Sequence, residues 1–119
     1  RRANLTVVVI GGGLVGAELI GELTEFTARL LRTYPRIKPQ EVRLVLLHNG
    51  ARLLPEMADG LAAYAERQFL ARGVEVRTGV AADRIEPGRV LLPGGGAIEA
   101  ATIVLAAGLS PNPVIAGLD

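Results

Sequence analysis

Three glycines at the spacing G-x-G-x-x-G, Gly11, Gly13 and Gly16, carry the clearest chemical signal in this chain of 119 residues. Each needs glycine for its own reason. Gly11 permits a tight strand-to-helix turn, Gly13 lets a pyrophosphate approach the backbone, and Gly16 lets the helix pack closely on the strand. Gly12 lies between them. The N–H groups at the start of the helix and its positive dipole end then face an anion. Leu14 and Val15 would meet such a ligand through their backbone, with their side chains expected in the core. The spacing alone is weak, since a glycine-rich turn can bind nothing. Its setting gives it weight.

That setting is a β-α-β pattern. Val7-Val8-Val9-Ile10 is an unbroken β-branched run, which suits a parallel strand covered on both faces. A helix is expected over residues 13–32, with Val15, Leu19, Leu23, Phe26 and Leu30 recurring as one apolar face. Pro35 and Pro39 end it, and residues 33–40 read as a loop. Residues 42–47 form a second apolar strand, closed by the turn signal His48-Asn49-Gly50. A second helix is expected over 58–72, with Leu61, Ala65 and Phe69 inward and Gly73 as its C-terminal cap. Residues 74–77 alternate and read as a third strand. Residues 83–86, 89–92 and 97–100 then read as an antiparallel meander, turned at Pro87-Gly88 and at Pro93-Gly94-Gly95-Gly96. Residues 102–107 return as a buried parallel strand, and 108–119 read as a tail. The fold class is therefore α/β, a Rossmann-like β-α-β-α-β parallel sheet with a meander as crossover and a returning parallel strand.

Composition narrows the function. The net charge is +1, which gives no electrostatic case for nucleic acid. Cysteine is absent, so a disulfide framework, a cysteine metal site and a redox Cys-x-x-Cys are excluded within this chain. The single histidine and scattered carboxylates have no metal-ligand spacing. No G-x-S-x-G elbow accompanies a serine nucleophile. Arg1-Arg2 before an apolar run imitates a signal peptide, but the glycines and Glu18 interrupt the run and no A-x-A site follows. No stretch reaches about 18 uninterrupted apolar residues, so no membrane contact is expected from these residues. One domain over 1–119 is expected, and the abrupt start suggests a mature fragment or an excised domain.

The layout resembles the NAD(P)H-binding domain of the pyridine nucleotide-disulfide oxidoreductase superfamily of flavoproteins. The matching residues are Gly11-x-Gly13-x-x-Gly16-x-Glu18, Arg52-Leu53-Leu54-Pro55, and Ala106-Ala107-Gly108-Leu109-Ser110-Pro111-Asn112-Pro113. The long first helix and Tyr34-Pro35-Arg36-Ile37 look most like the type II NADH dehydrogenases. Ferroptosis-suppressor and apoptosis-inducing-factor-like oxidoreductases are rival branches. The resemblance implies that NAD(P)H binds here and passes hydride to FAD, which is then reoxidised by a quinone or another acceptor. It also implies that FAD sits in a separate domain of the same parent chain, because only one dinucleotide fingerprint occurs here. Alone, this domain would not be catalytically complete. The parent enzyme would be cytoplasmic, peripheral on the inner face of the cell membrane, with homodimerisation compatible with the pattern.

Single residues carry two readings each. Glu18 is either an acid stabilised by the helix dipole or, by the resemblance, a group near the nicotinamide. His48, followed by Asn49, stands where NAD-binding relatives carry an acidic residue that holds the ribose hydroxyls and repels a 2′-phosphate. Its distance from Gly16 is long, and the extended first helix accounts for that. His48 removes the repulsion, so the expectation is relaxed use of NADH and NADPH. It is otherwise a surface turn histidine. Arg52 reaches a phosphate, or is a solvated loop charge or a salt-bridge partner for Glu56. Ala107 and Gly108 end the last strand, where ligands approach α/β sheets, and by the resemblance border the nicotinamide.

Two other classes compete. One is a free-standing NAD(P)-binding sensor without catalysis. A parent reading frame of about 400 residues would favour the inserted flavoenzyme domain instead. The other is a single-domain Rossmann dehydrogenase, against which neither Tyr34 nor Tyr64 has a lysine four residues on. An adenosylmethionine methyltransferase is weaker still, because Gly16 completes the dinucleotide form of the loop.

Overall fold

The computed structural model describes residues 5–55, 57–106 and 114–116. The elements run β1 (Thr6–Ile10), α1 (Leu14–Thr33), β2 (Arg43–Leu47), α2 (Asp59–Ala71) and β3 (Glu75–Arg77). Three short strands follow, β4 (Arg84–Glu86), β5 (Arg89–Leu91) and β6 (Ala97–Glu99), then β7 (Thr102–Leu105) and β8 (Val114–Ala116). The main sheet has the order β3-β2-β1-β7-β8. Its first four strands are parallel, with Val8 opposite both Val45 and Ile103. The expected Rossmann-like α/β class is what the chain adopts.

Alternation along the strands sorts the core into two clusters. Val9, Leu44, Leu46 and Val104 face α1 and α2, packing with Ala17, Ile20, Ala62 and Phe69. Val8, Val45, Leu47 and Ile103 face the opposite way, onto Val90, Ile98 and Ala100 of the meander. A strand buried on both faces must be apolar at every position, hence the unbroken valine run. The antiparallel β4-β5-β6 sheet thus covers the face where a doubly wound fold would carry a crossover helix.

Helix packing departs from the expected face. In α1 the buried residues are Gly16, Ala17, Ile20 and Thr24, while Leu19 and Leu23 are only partly buried against that cluster. Val15 and Phe26 are 46% and 53% exposed. The cause is close approach. A helix that comes near its sheet turns its small residues inward and pushes the bulky ones to the flanks. In α2 Phe69 is buried as expected, but Ala62 takes the inward place assigned to Leu61, which is exposed. Gly73 adopts φ 86 after α2; its N–H donates to Leu70 O and that of Val74 to Phe69 O. This pair of bonds closes the helix end as a Schellman motif.

The tail also differs. Val114–Ala116 forms β8, antiparallel to β7, with Val104 opposite Ile115. An apolar strand edge on β7 invites pairing, and the prolines nearby concealed a strand of only three residues.

Candidate nucleotide-binding site

The chain runs outward on one side of β1 to β2 and β3, then crosses to β7 on the other side. Ligands of open α/β sheets bind at such a reversal, beyond the carboxyl ends of the strands. A cleft of about 610 Å³ opens there. Ile10, Gly11, Gly12 and Gly13 form one wall, His48, Asn49 and Pro55 another, and Val80, Ala81, Ala82, Ile85 and Leu105 complete it.

The glycine loop has the shape the motif requires. Gly11 has φ 118, a conformation that favours glycine, and its N–H donates to Leu47 O at 2.7 Å. A Cβ on Gly16 would lie 1.7 Å from Gly11 O, so only glycine allows the helix this close to the strand. Gly13 is the N-cap of α1, no side chain caps it, and no acid stands in the first turn. The first intrahelical bond runs from Ala17 N–H to Gly13 O. The N–H groups of Leu14, Val15 and Gly16 therefore lack intrahelical acceptors, and the helix dipole is uncompensated on this side.

A second feature is not visible in the motif. Gly12 is held from both sides by the segment after β2. Its N–H donates to His48 Nδ1 at 2.9 Å, and its C=O accepts from Leu54 N–H at 2.8 Å. A Cβ on Gly12 would lie 2.5 Å from Leu53 Cδ2 and 2.8 Å from His48 Cγ. A Cβ on Gly50 would lie 2.7 Å from His48 Nε2. The imidazole thus fits a slot between two glycines. Because Nδ1 accepts, the neutral ring carries its proton on Nε2. Nε2–H has no hydrogen-bond partner among the described residues.

Leu54 adopts φ 52. A left-handed conformation costs a leucine roughly 1–2 kcal/mol, so its surroundings must impose it. Arg52 lies beside it. Its Nη2 donates to Met57 O at 2.8 Å and Pro55 O at 3.2 Å, and lies 3.3 Å from Asp59 Oδ1. Its Nη1 is buried without a partner among the described residues.

The pyridine nucleotide-disulphide oxidoreductase family model matches residues 1–119. The chain belongs to this family. It is 34% identical over 80 residues to a mitochondrial external alternative NAD(P)H-ubiquinone oxidoreductase of Solanum tuberosum, covering 66% of this chain and 14% of that one. It is 31% identical over 119 residues to a type II NADH:quinone oxidoreductase of Mycobacterium tuberculosis, covering 96% and 25%. Among solved structures, NDH2 of Plasmodium falciparum in complex with NADH superposes with a TM-score of 0.85 at 19% identity, covering 93% and 24%. That likeness concerns the fold. The chain spans about a quarter or less of the length of these relatives.

Within this oxidoreductase family member, Gly11, Gly12, Gly13, His48 and Asn49 come together at the cleft. Gly16 acts behind it, through its approach to Gly11. Leu14 and Val15 present exposed side chains, not the core ones expected. Glu18 is exposed and stands past the first turn of α1, so the dipole reading loses its basis. Arg52 does not line the cleft; its guanidinium is engaged by its own loop and by Asp59. Glu56, Ala107 and Gly108 lie outside the described residues. Sequence reasoning missed Ile10, Pro55, Val80, Ala81, Ala82, Ile85 and Leu105 as cleft residues. The signal for Val80 to Ala82 was their place just beyond β3, at the carboxyl end of a parallel strand. Among the described residues, no helix is long and apolar enough to cross a membrane.

Proposed function

We propose that this domain binds NAD(P)H in the cleft and presents its nicotinamide to FAD held by a separate domain of a longer oxidoreductase chain. The observation that carries this is the uncapped start of α1, pressed against β1 by Gly16 and opening on the cleft at the sheet reversal. The N–H groups at Gly13 to Gly16 would receive the pyrophosphate. The adenosine ribose would lie toward His48 and Asn49, and the nicotinamide toward the ends of β1 and β7. The bound nucleotide supplies the hydride, and the protein supplies orientation and exclusion of water.

The reading extends to both nucleotides. With Nδ1 committed to Gly12, His48 offers the ribose a single donor, Nε2–H. A 2′-hydroxyl and a 2′-phosphate both accept such a bond. No carboxylate among the described residues lines this cleft to repel the phosphate. Arg52 is turned away, so no arginine grips it either. The expected outcome is comparable affinity for NADH and NADPH.

The test is a titration of the chain with each nucleotide, followed by nicotinamide fluorescence. The chain has no tryptophan, so that signal is uncluttered. Saturable binding of both supports the proposal. Binding of neither would end it, and binding of NADH alone would end the His48 part.

A further inference from the structure

We propose that Arg52 is a positioning residue. It fastens the segment after β2 so that Leu54, opposite the His48 ring, holds the Gly12 peptide in the geometry the nucleotide's phosphates require. The fastening stands on the contacts themselves; its consequence for binding rests on the nucleotide-site reading above.

Three residues of one short segment act on Gly12: His48 takes its N–H, Leu54 donates to its C=O, and Leu53 fills the space a side chain there would need. Backbone bonds to Arg77, Gly79 and Val80 tie down His48 and Gly50, whereas residues 52–55 belong to neither β2 nor α2 and have no such ladder. They also include Leu54 at φ 52, a conformation leucine leaves readily when nothing imposes it. Met57 N–H closes a turn onto Leu54 O at 3.0 Å. Arg52 spans that turn. Nη2 reaches the carbonyls of Pro55 and Met57 on its far side, and Asp59 in the first turn of α2. Asp59 is 95% exposed on its side chain, so the ion pair adds little. The two carbonyls are the substance of the latch, with Met57 O the shorter contact. The guanidinium does not line the cleft, and its Nη1 is buried without a partner among the described residues. An arginine serving a 2′-phosphate directly would have its donors free toward the ligand. All three contacts come from the single nitrogen Nη2, at the end of a side chain one atom longer than a lysine's.

The latch predicts a local effect before any ligand is added. In the nucleotide-free chain, Arg52→Ala should speed amide hydrogen exchange at Gly12 and Leu54 by about tenfold or more, as local opening becomes easier. Exchange at Val9 and Val45, in the sheet centre, should not change. Arg52→Lys should fall between wild type and Arg52→Ala. Binding of NADH and of NADPH should weaken equally, about fivefold to tenfold, as expected when a hydrogen bond that preorganises a loop is lost. Unchanged exchange at both amides would overturn the proposal, as would faster exchange across the whole sheet. A loss confined to NADPH would overturn it in favour of direct phosphate contact. If wild type bound neither nucleotide, the reading of the site would fail, while the exchange rates would still decide whether Arg52 holds the loop.

Discussion

At its carboxyl end the parallel sheet leaves backbone donors open, whereas at its amino end the same strands close their polar groups with side chains. The carboxyl end carries the uncapped start of α1, the Gly12 peptide gripped between His48 and Leu54, and the cleft. The amino end carries Arg43 of β2, which meets the Glu75 carboxylate of β3 with both Nε and Nη2, and Arg77 adds a third contact at 3.3 Å. The Arg43 hydrogen bond is the main reason the Glu75 carboxyl is held below the usual carboxylate range, against the opposing pull of burial. The same bond raises Arg43. The difference fits the proposed site: Arg43 and Glu75 pair with each other, whereas the first N–H groups of α1 have no side-chain cap.

Substitutions should separate the two ends, and the largest effect belongs to Gly16. Gly16→Ala places a methyl against the Gly11 carbonyl, a backbone atom that cannot swing away. Loss of stability at the top of the overpacking range, about 3 kcal/mol or more, should appear as a lower denaturant midpoint. A midpoint near wild type would mean that α1 does not sit this close to β1. Gly12→Ala meets only side chains, the tip of Leu53 and the His48 ring. Those can shift, so the cost should be smaller, about 1–2 kcal/mol, with a clear loss of nucleotide affinity. If both variants cost the same, the contrast between backbone and side-chain contact is wrong.

His48→Glu removes the ring that accepts from Gly12 N–H, so it should cost about 1 kcal/mol of stability and change selectivity. A carboxylate facing a 2′-phosphate should lower NADPH affinity relative to NADH by about tenfold or more. Parallel titrations check this, and an unchanged ratio would remove His48 from the ribose site. The smallest effect belongs to the amino end. Glu75 has a lowered folded-state value, so its contribution is fully present above the unfolded value, about 4.3. It is lost as pH falls through the folded value. Wild type should therefore lose stability on acidification below about pH 4 more steeply than Glu75→Gln. The difference at neutral pH should stay within about 1 kcal/mol, because the Glu75 side chain is 37% exposed. Parallel curves of melting temperature against pH for the two proteins would contradict the pair's role.

The sequence by itself determined the strands β1, β2, β3 and β7, both helices, the meander, and the glycine turn after β1. Those follow from local rules: β-branched runs, three- and four-residue periodicity, and glycine where the chain must turn or approach closely. Tertiary structure decided the rest. The rotation of α1 followed from the Gly16 contact with Gly11, which turned Ala17 and Ile20 inward and left Val15 and Phe26 outside. The direction of Arg52 followed from carbonyls three and five residues onward, which only a folded turn brings to its guanidinium. The grip of His48 on Gly12 joins residues 36 apart in the chain. The pairing of β8 with β7 needed a strand edge that no three-residue stretch announces. Local propensity depends on neighbours in the chain, whereas these contacts depend on where two distant backbones come to lie.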